Sequence, residues 1–291
     1  MQSNNPILSR YEKPADKGGF AYDEGKRAYA QASGTAPATQ TLTPPGGQPP
    51  TTTDGAFETI TAGAGLRLTL NDVIVKTLIV FAVVVVFAFA GWNLAYAMPW
   101  IVLPALIVAM VFGFINALKK KVSPALVLLY AVFEGILLGA ISNWYNQYAQ
   151  GNDYQGIVLQ AVMATMVTFG VMLVLFLTGI VKVTKKFVSI LLVAGVAYLV
   201  IGIASLVAAM FGVGGGWGFY GVDGIGLLIC VFGVLIAAFF LMLDFEAIKQ
   251  GIAMGLPERE SWRMSFGLLV TLVWLYLEFL RMFAIIASGR E

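Results

Sequence analysis

The chain has 291 residues, of which 59% are hydrophobic and 12% charged, with a mean hydropathy of +0.83 and a formal net charge of +2. Soluble domains carry roughly 25% charged residues, so a water-soluble globule is excluded, and so small a net charge leaves no footprint for nucleic acid. There is no histidine and one cysteine, Cys230, which removes Ser-His and Cys-His catalysis, histidine metal sites and any disulfide framework.

In chain order, residues 1–66 come first, rich in Gly, Pro, Thr, Ala and Gln and without apolar periodicity. Such a segment buries too little surface to offset its ordering entropy, so a disordered tail is expected over 1–66. It lacks the apolar core of a signal peptide. Pro6, Ile7 and Leu8 form its one short apolar patch, either a docking peptide or plain solvated chain.

Residues 67–291 read as a transmembrane domain. Seven apolar runs follow, at roughly 73–96, 100–118, 124–145, 157–181, 187–211, 225–248 and 264–287. Each is long enough to cross a core of about 30 Å as a helix. The interruptions are short and carry turn residues, as at Met98-Pro99 and in the glycine-rich stretch after Phe211. Gly135 with Gly139, and Gly195 with Gly202, are small residues of the kind that let helices approach in lipid. Trp92, Trp100, Trp144, Trp217 and Trp262 fall near run ends, where interfacial anchoring accounts for them. Cys230 lies inside a run and reads as a packing residue.

Lysine and arginine occupy every second connection: the segment up to Lys76, then Lys119–Lys121, Lys182–Lys186 and Lys249–Arg263. The positive-inside rule then puts the N-terminus in the cytoplasm and the C-terminus outside, as an odd number of spans requires.

Three acids interrupt the apolar runs: Glu134 in EGILLG, Asp244 in LDFEAI and Glu278 in LYLEFLRMF. A charge at helix centre costs on the order of 2.5–3.5 kcal/mol on insertion scales, so these side chains should face protein or water. Each has a structural alternative. Asp244 could be an interfacial acid, Glu278 a partner of Arg281 one turn on, and Glu134 a hydrogen-bonded packing residue. If the acids converge, they form an ion- or proton-binding site. Two carboxylates close together in a low dielectric cannot both ionise easily, so they can share a proton at low pH and bind a hard cation such as Ca2+ once ionised.

These three motifs, in this order, resemble the Bax inhibitor-1/YccA (TMBIM-type) family over roughly residues 70–287. The tail resembles the N-terminal extensions of some bacterial, especially actinobacterial, members. The resemblance implies an all-α bundle of seven transmembrane helices with the last helix central. It also implies an acidic pair joining the sixth and seventh helices, here Asp244 and Glu278, that senses pH for a Ca2+ leak. The seventh-helix acid is usually Asp in that family. The Asp244–Glu278 separation of 34 positions exceeds the family's spacing, and the excess is expected in the connection IKQGIAMGLPERESWRMS, so that the acids still meet.

The expected function is a pH-sensitive Ca2+/cation leak channel or transporter in a bacterial inner membrane, with Asp244, Glu278 and Glu134 binding ion or proton. Asp244 and Glu278 are the candidate Ca2+ ligands, and Arg281 is the gating or ion-pair partner. The alternative is a non-transporting regulator that binds a membrane protease or stress machinery, with the tail as hook. Catalysis and a cofactor are not expected. Rhomboid-type proteolysis needs a histidine, presenilin-type proteolysis needs paired intramembrane Asp residues in YD and GxGD contexts, and a retinal protein needs a lysine in its last helix; the apolar runs hold none of these.

Overall fold

The computed structural model describes residues 66–216, 218–220 and 224–288. The expected disorder of the tail, its apolar patch and Trp217 lie outside them. Among the described residues, seven helices are long and apolar enough to cross a membrane. They are α1 (Leu70–Ala97), α2 (Val102–Leu118), α3 (Pro124–Gly151), α4 (Ile157–Thr178), α5 (Lys185–Met210), α6 (Gly224–Ala253) and α7 (Ser261–Ser288). Among the described residues the only β pairing is one bridge, Arg67 with Pro257.

Local sequence sets the ends. Thr69 caps α1 in a capping box: its hydroxyl accepts from the Asp72 amide at 3.2 Å, and the Asp72 carboxylate accepts from the Thr69 amide at 3.0 Å. Pro124 occupies the first turn of α3, where its missing N–H costs nothing. Thr184 caps α5. The helices outrun several apolar runs. α3 continues to Gly151 through a polar last stretch in which the Asn143 amide donates to the Trp92 carbonyl and Gln147 bonds Asn143.

The last helix is central, as the resemblance implies: α7 packs against α6, α4, α1 and α3. Its spanning window is 56% buried, as is that of α3, against 17% for α1, α2 and α4, which ranks α3 and α7 as the inner helices. The tightest seam joins α1 to α3. A methyl group on Gly135 would stand 2.6 Å from the Val84 carbonyl, and one on Gly139 would overlap the Ala88 carbonyl. The glycines of EGILLG therefore let two backbones touch, as small residues do in lipid. Outward-facing side chains such as Phe89 (69% exposed), Leu177 (73%) and Val193 (71%) form an apolar exterior that suits acyl chains, not water.

At one end of the bundle, residues 66–68 run along the α6–α7 connection. The Leu68 amide donates to the Leu256 carbonyl and the Glu258 amide to the Leu66 carbonyl, both at 2.7 Å. Lys76 of α1 closes an ion pair with Glu258 at 2.6 Å. Arg263 bonds Glu260 at 2.8 Å and also donates to the carbonyls of Lys119 and Lys120, tying the α2–α3 connection to the foot of α7.

Candidate functional site

The three acids lie on α3, α6 and α7, but they do not form one cluster. α6 and α7 are antiparallel neighbours joined by residues 254–260. On that hairpin, Asp244 faces the early part of α7: a methyl on Gly267 would lie 3.3 Å from its Oδ1, and the Thr271 hydroxyl hydrogen-bonds its carboxyl. Glu278 faces the early part of α6, where a methyl on Gly233 would lie 2.9 Å from its Cδ. Gly233 and Asp244 are eleven residues apart on α6, as are Gly267 and Glu278 on α7. At 1.5 Å per residue the two stations are separated by about 16 Å.

The expected contact between Asp244 and Glu278 is therefore corrected: they are not a pair, and they do not together hold a Ca2+ ion. The reason is where the extra chain length goes. It does not loop out between the helices. α6 runs on to Ala253 and α7 starts at Ser261, leaving a tight turn. The turn is centred near residue 257, so Asp244 meets the level of residues 267–271, well short of Glu278. Among the described residues no group of three or more Asp, Glu, His or Cys side chains is placed to hold a metal.

Glu278 is 5% exposed and sits in a polar cluster drawn from four helices. The Trp274 indole donates to its Oε1 at 3.1 Å, and the Tyr198 hydroxyl of α5 reaches the same carboxyl. Arg281, one turn on, lies within electrostatic reach of Glu278 and Cys230 and hydrogen-bonds Tyr145 of α3. The ionic relation between Glu278 and Arg281 along one helix face is thus present, and Tyr145 holds the guanidinium from outside that helix. Cys230 is fully buried, in keeping with a packing role.

Glu134, 6% exposed, hydrogen-bonds Tyr130 one turn earlier on α3. Tyr130 packs edge-on against Phe266, and Ser142 of the same helix bonds the Tyr276 hydroxyl at 2.6 Å. Glu134 therefore stands at about the level of residue 270 of α7, the depth of Asp244, and far from Glu278.

Asp244 Oδ2 and Glu278 Oε2 share one property: each is buried with no hydrogen-bond partner among the described residues. A buried charged oxygen without a partner is costly. Each such atom calls for a proton, a water or a cation. The partners Thr271, Tyr198 and Tyr145 were not singled out in the sequence, where a hydroxyl inside an apolar run carries no mark of what lies across the helix interface.

Gly267 and the polar-bearing positions Thr271, Trp274, Glu278 and Arg281 share one face of α7 at 100° per residue, and Leu269, Leu272, Val273 and Tyr276 share the opposite face. One face of α7 thus lines both acid stations, with Asp244 supplied by α6 and Glu278 by α7 itself, and an apolar back is turned toward α1 and α4.

No curated protein matches the chain. The family model described as Bax inhibitor 1 like matches residues 5–288. That match spans nearly the whole sequence and, with seven membrane-type helices, four of them packed on the last, it establishes that the chain is a multi-pass membrane protein of the Bax inhibitor 1-like family.

Proposed function

We propose that the protein is a pH-sensitive cation leak channel or transporter, with Ca2+ as the candidate ion, acting by transport and not by catalysis. Asp244 and Glu278 serve it as two separate proton- or cation-binding stations along the α6–α7 seam. The observation that carries this reading is that each acid is held where α6 packs on α7, with one buried carboxylate oxygen lacking a partner among the described residues. A cation passing along the seam would exchange with protons at one station and then the other. Arg281, next to Glu278, would set the charge of the second station. Positive residues in every second connection support a cytoplasmic N-terminus, and the resemblance of the tail to the extensions of bacterial members favours a bacterial inner membrane.

The test is Ca2+ flux into liposomes containing the purified chain, between about pH 5 and 8. Asp244→Asn and Glu278→Gln, which can neither titrate nor carry charge, should each lower the flux and flatten its pH dependence. Flux no greater than in empty liposomes, or unchanged in both variants, would overturn the reading.

One observation favours a second reading, a regulator that binds a membrane protease or stress machinery. The chain immediately after the tail is hydrogen-bonded to the α6–α7 turn, so a partner pulling on residues 1–65 would pull on the hairpin that carries both acids. Deleting residues 1–65 should then abolish capture of that partner while leaving basal flux intact.

A further inference from the structure

A crevice of about 430 Å³ opens on the side of the bundle between α1 and α4, which make no extended contact with each other. Its mouth carries Val85 and Phe89 on one lip and Val162 and Met166 on the other; its floor is the apolar back of α7 at Leu269 and Val273. The volume falls within the range of about 300–1,000 Å³ typical of small-ligand sites.

The chemistry of the wall excludes water and ions as occupants. The polar side chains in it are already engaged. Ser142 donates to the Leu138 carbonyl at 2.6 Å and bonds Tyr276, and Thr165 donates to the Ala161 carbonyl at 2.8 Å. The remaining lining is hydrocarbon or aromatic, so a water inside would lack the two to four partners it needs.

Two observations identify the occupant. The mouth is continuous with the apolar exterior: Phe89 is 69% exposed and Val162 39%, so bilayer chains lie directly against the opening. The α1 wall runs from Phe81 to Trp92. That is about 16 Å at helical rise, or about half of a 30 Å hydrocarbon core, the depth of one leaflet. Trp92 and Val158 lie toward the α3–α4 connection, and Phe81 and Leu269 near mid-depth.

We propose that the crevice holds one acyl chain of a membrane phospholipid from the leaflet on the side of the α3–α4 connection, seated between α1 and α4 against the back of α7. The chain replaces a helix–helix contact that α1 and α4 do not make. It lies on the face of α7 opposite Thr271 and Glu278, so it braces the acid-bearing helix without entering the polar seam.

The test uses the full-length chain reconstituted in phosphatidylglycerol vesicles, extracted in mild detergent and weighed by native mass spectrometry. Wild type should retain one phospholipid through detergent washing. Val162→Trp and Met166→Trp, which fill the mouth, should each lower that occupancy about tenfold, an effect of about 1.4 kcal/mol. Val193→Trp, on the exposed face of α5, should retain the lipid. Thermal melting of each variant separates displacement from misfolding, and two filling variants guard against the failure of one. No retained lipid in wild type, equal retention in well-folded filling variants, or a retained free fatty acid in place of phospholipid would overturn the proposal.

Discussion

At the scale of single residues, the acids draw attention but the glycines decide where they can sit. Gly233 admits the Glu278 carboxyl to the surface of α6, and Gly139 admits the α1 backbone to α3. The second case gives a clean prediction, because a methyl at Gly139 would run into a carbonyl fixed in a helix, which cannot rotate away. Gly139→Ala should cost about 1–3 kcal/mol, the usual effect of overpacking, and lower the melting temperature in detergent. Gly170→Ala, at a helical glycine with nothing within 4 Å, should leave it nearly unchanged. Equal melting of the two variants would contradict the close α1–α3 seam. The motif EGILLG thus has two roles in adjacent positions: Glu134 bonds Tyr130, and Gly135 and Gly139 pack.

At the scale of elements, the unit to follow is the α6–α7 hairpin with the strand-like segment 66–68 bound to its turn. Two backbone hydrogen bonds hold that segment, and Lys76–Glu258 adds an ion pair. With Glu258 one-third exposed, the pair by itself is worth little, in the range of about 0–1 kcal/mol for surface pairs. The backbone pairing therefore sets the position. Arg67 and Pro257 are directly opposed in an antiparallel bridge, a geometry whose Cα separation of about 4.5–5.5 Å falls within disulfide range. Arg67→Cys with Pro257→Cys, in a Cys230→Ser background, should form an intramolecular disulfide in the membrane. Its absence under oxidation would show that the segment leaves the turn.

At the scale of the whole molecule, sidedness is testable from the charge pattern alone. Lys120→Cys and Lys185→Cys, again without Cys230, should react with an impermeant thiol reagent from the cytoplasmic side, and Asp153→Cys from the opposite side. Labelling of all three from one side would refute the topology. The number of spans and their approximate limits follow from sequence, because the cost of burying charge and unpaired backbone in lipid acts on each segment separately. The candidate acids were legible for the same reason: a carboxylate inside an apolar run needs protein around it wherever the fold puts it. What sequence did not determine was which acid meets which partner. The Asp244–Glu278 separation in sequence is compatible with contact or with about 16 Å, depending on whether residues between them loop out or extend two helices, and only tertiary packing makes that choice. Tyr198, Tyr145 and Thr271 join the stations through cross-helix register, a cooperative property of the bundle that no single run encodes. The α1–α4 crevice arises in the same way, since a gap between two helices depends on how both pack against a third.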